Sequence, residues 1–368
     1  MLKHSNLCTL LIALLSLGVA IGCSSPKNSS FGEQHNRYAT GFSITYSAEG
    51  DTSAYLFRSK MRCRFGDTLF ISDSLLVLPH TPRRIICLSS THIAFLKVLD
   101  ELNTVVGLGG TRYVSDSILQ DAIRNGKVLE VGELPDLNYE RIIALAPDLV
   151  LGYDADITAV SNYANRLHHF KIPLISIDEY HEEHPLGRAE WLKFFAFLFH
   201  KDNIASLVLD TVNGAYEAIL AKTNREHTPK VLINYPWKEL WYIPTQNSYM
   251  AQWVQDAGGS LLLSSEGEGS TAKAVAREQV LWAAQQAEFW LNPGVCETLS
   301  DLGSLQSFPA VRQHKVYNNT KRCNSNGGND FYESGVLLPH LILRDLQTIL
   351  HPPIGDTVPP LIFYKRLQ

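Results

Sequence analysis

From Pro82 onward the chain alternates short, wholly apolar runs with longer segments of helical spacing. Ile85-Ile86-Cys87-Leu88, Val105-Val106-Gly107-Leu108 and Leu149-Val150-Leu151 are apolar on every position, and Ile172 to Ile177 on all but Ser176, the mark of strands covered on both faces. Between them His92 to Leu102, Ile142 to Ala146 and Ser161 to Phe170 read as helices. Ser89-Ser90-Thr91 supplies cap chemistry for the first, and Pro147-Asp148 ends the second. The pattern then repeats: strands at Lys230 to Ile233, Phe289 to Leu291 and after Val311, helices at Tyr249 to Ala257, Gln279 to Gln286 and Gly335 to Leu350. Strands alternating with helices predict parallel sheets built from βαβ units, here in two halves. Residues 38–80 differ. Apolar and polar positions alternate singly there, as in Phe42-Ser43-Ile44-Thr45-Tyr46, which predicts a small β-rich extension.

Two helical segments separate the halves. Trp191, Phe194, Phe195, Leu198 and Phe199 share one helix face. After Lys201-Asp202, the positions Ile204, Leu207, Val208, Thr211, Val212, Ala215 and Ile219 repeat that spacing. The second segment is roughly 30 Å long at 1.5 Å per residue, enough to run along the back of both halves and limit their relative motion. The expected fold is α/β: two lobes, each with a central parallel sheet, bridged by one long helix, plus the β-rich extension. The expected boundaries are 1–22 for a signal peptide, 23–37 for a tether, 38–81 for the extension, 82–185 for the N-terminal lobe, 186–222 for the bridge and 223–368 for the C-terminal lobe.

The first residues are an address. Lys3 and His4 precede an apolar run from Leu7 to Ile21, followed by Gly22-Cys23-Ser24. A Cys after such a run resembles a bacterial lipobox, which implies cleavage before Cys23 and attachment of lipid to its sulfur. No acidic run follows, favouring a periplasm-facing anchor. Composition narrows the rest. With 32 basic and 37 acidic residues the net charge is −5, against a nucleic-acid-coating surface. Within the body no stretch is long and apolar enough to span a bilayer. Cys87 lies in an apolar strand and reads as a free core thiol. Cys296 and Cys323 lie in Gly/Asn-rich loops, and we expect them to pair in an oxidising compartment.

Four segments carry a family resemblance: Arg83 to Ser90; Asn138-Tyr139-Glu140-Arg141-Ile142-Ile143-Ala144-Leu145-Ala146-Pro147-Asp148-Leu149-Val150; Glu183-His184-Pro185-Leu186-Gly187-Arg188-Ala189-Glu190-Trp191; and Asn329 to Val336. In this order they resemble the substrate-binding proteins of ABC importers for iron complexes, haem and vitamin B12. The last two segments are similar to a Bacteroidetes branch. The resemblance implies two lobes joined by one helix, no enzymatic activity, no resident cofactor, and a monomer that hands its ligand to importer membrane subunits. It also implies docking through one acid on each lobe, Glu140 by motif and Glu278 by its place in the second half. Both also suit a helix dipole as first-turn acids.

Open α/β sheets bind ligands at the C-terminal ends of their strands. That nominates Ser90, Thr91, Arg112, Tyr113 and Tyr153 from the first lobe. It nominates Tyr235, Trp237, Trp241, Tyr242, Arg322 and Tyr332 from the second. The stretch from Trp237 to Tyr242, between Pro236 and Pro244, reads as an aromatic loop. Aromatic faces and Arg forks suit a large, flat, oxygen-decorated metal complex. A corrinoid or ferric siderophore leads, with haem as the alternative and a chelatase-like enzyme behind it. His181-Glu182-Glu183-His184 has the wrong spacing for a zinc helix, and Pro185 follows at once. His92 lies near the expected mouth, where packing outweighs ligation. No metal site is expected.

Overall fold

The computed structural model describes residues 33–46, 52–57, 61–64, 69–71, 74–76, 81–153, 157–266, 272–353 and 359–368. The signal segment and Cys23 lie outside the described residues, as do parts of the tether and extension. The first elements are six antiparallel strands in meander order: β1 (Glu33–Gln34), β2 (Phe42–Tyr46), β3 (Thr52–Leu56), β4 (Met61–Arg64), β5 (Leu69–Ile71) and β6 (Ser74–Leu76).

The N-terminal lobe is a five-stranded parallel sheet of β7 (Ile85–Cys87), β8 (Val105–Leu108), β9 (Leu129–Glu130), β10 (Leu149–Gly152) and β11 (Leu174–Ser176). Its order is β11-β10-β7-β8-β9, so the chain reverses its direction of winding between β7 and β10. Helices α1 (Thr91–Val98), α2 (Ser117–Arg124), α3 (Tyr139–Leu145) and α4 (Ile157–His169) connect the strands. Ile85 and Cys87 point into one core, Ile86 and Leu88 into another, as expected for a sheet covered on both faces.

Three helices form the connector: α5 (Pro185–Glu190), α6 (Leu192–Phe199) and α7 (Asp202–Leu220). The C-terminal lobe follows. Its main sheet holds β12 (Lys230–Ile233), β15 (Ser260–Leu261), β17 (Phe289–Leu291), β18 (Val316–Asn318) and β19 (Lys365–Arg366), ordered β15-β12-β17-β18-β19 with only β19 antiparallel. A second, three-stranded sheet joins β13 (Pro236–Trp237), β14 (Leu240–Ile243) and β16 (Lys273–Ala276). Helices α8 (Tyr249–Asp256), α9 (Arg277–Ala283), α10 (Pro309–Arg312) and α11 (Pro339–Leu350) complete the lobe. The fold is thus two α/β lobes with parallel-sheet cores, bridged by one long helix, with a β-rich extension.

Three expectations need correction. The stretch Trp237 to Tyr242 is a hairpin, not a loop: Trp237 pairs with Leu240 across a turn at Lys238, whose φ is +57°. The last helix begins at Pro339, because residues 334–336 form a separate 3₁₀ turn. Helix α7 forms as expected but turns a different face inward. Ala205, Leu209, Val212 and Tyr216 are buried, while Leu207 is 71% exposed. Ala205 and Leu209 enter the N-terminal core and Val212 and Tyr216 the C-terminal one, so one helix is packed into both lobes.

The extension explains why α6 is apolar at every position but Lys193. Its Phe42 ring lies 4.9 Å from Trp191 and 6.0 Å from Phe194. The segment just before β2 is tied down by two buried carboxylates. Glu190 accepts N–H bonds from Arg37 (2.9 Å), Tyr38 (2.8 Å) and Ala39 (2.8 Å). Glu182 accepts from Thr40 N (2.8 Å), Gly41 N (2.9 Å) and the Trp191 indole (2.8 Å). Tyr38 stacks on His184 at 4.6 Å, and Arg37 reaches Glu217 of α7 at 2.5 Å. His184 itself accepts the Leu186 N–H at 3.1 Å and so caps α5. The segment from Glu182 to Trp191 is thus built to receive the N-terminal strand.

Candidate functional site

Each lobe has one switch point, where chain winding reverses and strand ends leave a crevice. In the N-terminal lobe it lies between β7 and β10. Ser89, Ser90 and Thr91 follow β7, with Ser89 Oγ 2.9 Å from Thr91 Oγ1. Tyr153 follows β10, and its ring lies 6.4 Å from Tyr180. In the C-terminal lobe the switch point lies between β12 and β17. Asn234, at φ +65°, turns the chain out of β12, and Tyr235 stacks flat on Trp290 at 6.3 Å and 7°.

The loop after β8 carries Arg112 and Tyr113 and is fixed by a carboxylate. Glu130 accepts from Gly110 N (3.0 Å), Thr111 N (2.6 Å) and Gly132 N (2.8 Å). Burial pulls the Glu130 pKa upward, but these donors and the Thr111 hydroxyl outweigh it and hold it below the usual range. The loop is therefore rigid where it leaves the strand, while its tip is open. Arg112 and Tyr113 are both exposed, with the guanidinium 4.5 Å above the ring and 3.2 Å from Glu133.

The loop after β18 meets that tip. Asn324 Nδ2 donates to the Val114 carbonyl at 2.9 Å, and Ser115 N–H donates to Glu333 at 2.7 Å. Val336 and Leu337 enter the N-terminal core. Arg322, Asp330 and Tyr332 belong to the same loop, with Arg322 paired to Asp330 at 2.8 Å and Tyr332 44% exposed. So Arg112 and Tyr113 are brought beside the loop holding Arg322 and Tyr332. Burial, then the charges of Asp330 and Asp116, push the Glu333 carboxyl up to about 7 against the pull of the Ser115 N–H.

Beneath these loops lies a layer the sequence did not reveal. Glu179 and Arg188 form an ion pair at 3.3 Å, both almost wholly buried, and the Arg188 guanidinium lies 4.2 Å over the ring of Tyr249. Glu179 comes from the N-terminal lobe, Arg188 from the connector and Tyr249 from the C-terminal lobe. A charged pair with an aromatic lid thus sits where three parts of the chain converge. The only available signal was that Arg188 lies inside the distinctive stretch from Glu183 to Trp191.

A model described as periplasmic binding protein matches residues 85–322. The chain belongs to the periplasmic binding protein family. An uncharacterized lipoprotein of Methanocaldococcus jannaschii is 26% identical over 299 residues, which cover 77% of this chain and 68% of that protein. Two crystal structures from Vibrio cholerae share the fold. The periplasmic haem-binding protein HutB is 17% identical with a TM-score of 0.55, covering 73% of this chain and 99% of its own. The siderophore-binding protein FhuD with Fe3+-Desferal is 17% identical with a TM-score of 0.54, covering 73% and 98%.

In this periplasmic binding protein Glu140 and Glu278, the two acids expected from the resemblance to dock, hold the same place in their helices. Glu140 is the second residue of the seven-residue α3 and Glu278 the second of the seven-residue α9, and both are exposed. Of the aromatic nominees, Trp237 is 68% and Tyr242 40% exposed, and Tyr235 is half-buried. Trp241 is not a cleft residue. It is fully buried, donates its indole N–H to the Ile233 carbonyl at 2.8 Å and packs 5.8 Å from Trp290. Cys296 and Cys323 do not pair: both are free thiols, Cys296 buried with its Sγ 3.9 Å from the Asp301 carbonyl and Cys323 exposed. Cys87 is free and buried. His92 is a core residue with no exposure, 6.0 Å from Phe195, and burial lowers its pKa to about 3. Among the described residues no cluster of three or more His, Cys, Asp or Glu could hold a metal ion.

Proposed function

We propose that the protein is a lipid-anchored, periplasm-facing substrate-binding protein of an ABC importer. It captures a metal chelate, either a corrinoid, a ferric siderophore or haem, at the strand ends of its two lobes. It passes that chelate unaltered to the importer's membrane subunits, with Glu140 and Glu278 engaging one subunit each. The observation that carries this reading is the pair of switch-point crevices in two lobes held by one doubly buried helix. Ser90, Thr91, Arg112, Tyr113 and Tyr153 stand at or beside the first crevice, and Tyr235, Trp237, Tyr242, Arg322 and Tyr332 at or beside the second. The haem and Fe3+-Desferal ligands of the two Vibrio proteins support the ligand class.

Native mass spectrometry of the protein purified from its own host tests this reading. The expected spectrum shows one small adduct per chain whose released mass matches a cobalt or iron chelate. A spectrum showing only unliganded protein, together with no heat on titrating haemin, dicyanocobinamide and ferrioxamine B, overturns it.

A further inference from the structure

Two short helices hold matching places in the two lobes. In α3 Glu140 is the second residue and Ile142, the fourth, is fully buried; in α9 Glu278 is the second and Val280, the fourth, is fully buried. Each helix leads into the next parallel strand of its lobe, α3 into β10 and α9 into β17. A helix that returns the chain to the start of a parallel strand runs antiparallel to it. Both first turns therefore stand at the level of the strand ends that form the crevices. Among the described residues neither acid is paired with a cation.

Each acid has an exposed apolar neighbour. Residues three or four apart adjoin on a helix surface. Trp282, four residues after Glu278, is 75% exposed, and Ile143, three after Glu140, is 40% exposed. Trp282 is the most exposed aromatic side chain among the described residues. The core makes no use of it, since Val280 and Ala283 already supply the buried face of α9. A Trp side chain offers about 200 Å² for burial. A stable protein partner needs about 800 Å² from each side, so this residue cannot hold a second copy of the chain by itself. A partner that spans both lobes gathers both apolar residues and both unpaired acids.

We propose that Trp282 is the apolar anchor of the importer footprint, seated in a pocket of a membrane subunit while a cation of that subunit meets Glu278, and that Ile143 plays the smaller matching part beside Glu140. This rests on the proposed function and deepens it. The acids steer the encounter and fix its register, and the buried Trp slows release. The two lobes contribute unequally, because Ala144 stands in α3 where Trp282 stands in α9. The C-terminal lobe is therefore the more tightly held of the two.

The test compares wild type with Trp282→Ser, Ile143→Ser, Glu278→Lys and a control, Leu207→Ser, whose side chain is exposed on α7. Each purified chain is titrated with haemin, dicyanocobinamide and ferrioxamine B. Each gene also replaces the native one in its host, where uptake of the probe that wild type binds is followed. The expected result is unchanged melting and probe affinity throughout, with initial uptake down about tenfold in Trp282→Ser, less in Ile143→Ser, and unchanged in Leu207→Ser. Normal uptake by Trp282→Ser beside lost uptake by Glu278→Lys overturns the inference and leaves the proposed function standing. So does weakened probe binding by Trp282→Ser, or an equal loss of uptake in Leu207→Ser. Full uptake by both Trp282→Ser and Glu278→Lys overturns the inference together with the docking role of Glu278. A wild type that binds none of the three probes overturns both readings.

Discussion

The back of the molecule and its cleft side use the same currency, carboxylates accepting backbone N–H groups, to opposite ends. At the back, Glu182 and Glu190 are buried and each meets a full set of donors from residues 37–41 and from Trp191 or Lys193. Burial raises the Glu190 pKa, yet Lys193 and the three backbone donors hold it below the usual carboxylate range, while at Glu182 burial outweighs its donors and holds the carboxyl above that range. On the cleft side Glu333 accepts from the Ser115 and Asp116 N–H groups, with the charges of Asp330 and Asp116 close by, and burial pushes its carboxyl up to about 7. One region is a fully satisfied joint that holds the connector. The other is a contact between lobes that costs free energy whenever its acid is ionised.

The largest effect should come from breaking the joint. Glu190→Ala strands three buried or half-buried backbone donors and is expected to cost about 3 kcal/mol or more, read by urea denaturation. Next comes the helix that both cores share. Leu209→Ala should cost about 3 kcal/mol, while Leu207→Ala, two residues away on the exposed face, should stay within about 0.5 kcal/mol. If the two proved equal, the face assigned to α7 would be wrong.

The cleft-side contact predicts a pH dependence. The Glu333 pKa is raised in the fold, so the unfolded chain releases its proton first as pH rises. The contribution of this carboxyl to stability should therefore be fully present below about pH 4.5 and be lost as pH rises to about pH 7, roughly 3 kcal/mol in all. Glu333→Gln should flatten that slope in melts taken between pH 5 and 8, and Glu190→Gln should not. The smallest effect on the isolated protein belongs to the surface acids. Glu140→Lys and Glu278→Lys, both exposed helix-start positions, should leave thermal stability within about 0.5 kcal/mol and ligand affinity unchanged, and should reduce importer-dependent uptake.

Much of the fold was legible because the buried positions of the central parallel strands form unbroken apolar runs, such as Val231 to Ile233. Lys230 to Ile233 and Phe289 to Leu291 could hardly be read otherwise, and their observed limits match that reading. Helix α7 was legible as a helix, but its inward face was not. Ile204 and Leu207 satisfy the apolar spacing as well as Ala205 and Leu209 do, and the choice was made by two cores that the sequence does not display. The hairpin at Trp237 was hidden for a related reason: Leu240, Trp241, Tyr242 and Ile243 are all apolar, so no alternation marks which two point inward. The pairing of Glu179 with Arg188, and of Glu190 with residues 37–39, depends on tertiary contact alone.

The central claim is that the strand ends of both lobes form one binding site. Hydrogen exchange with and without saturating haemin or dicyanocobinamide tests it most directly. The account predicts slowed exchange at residues 89–91, 110–115 and 153 in one lobe and at 234–242 and 319–332 in the other, together. Protection confined to a single lobe, or to surfaces away from both switch points, would contradict it.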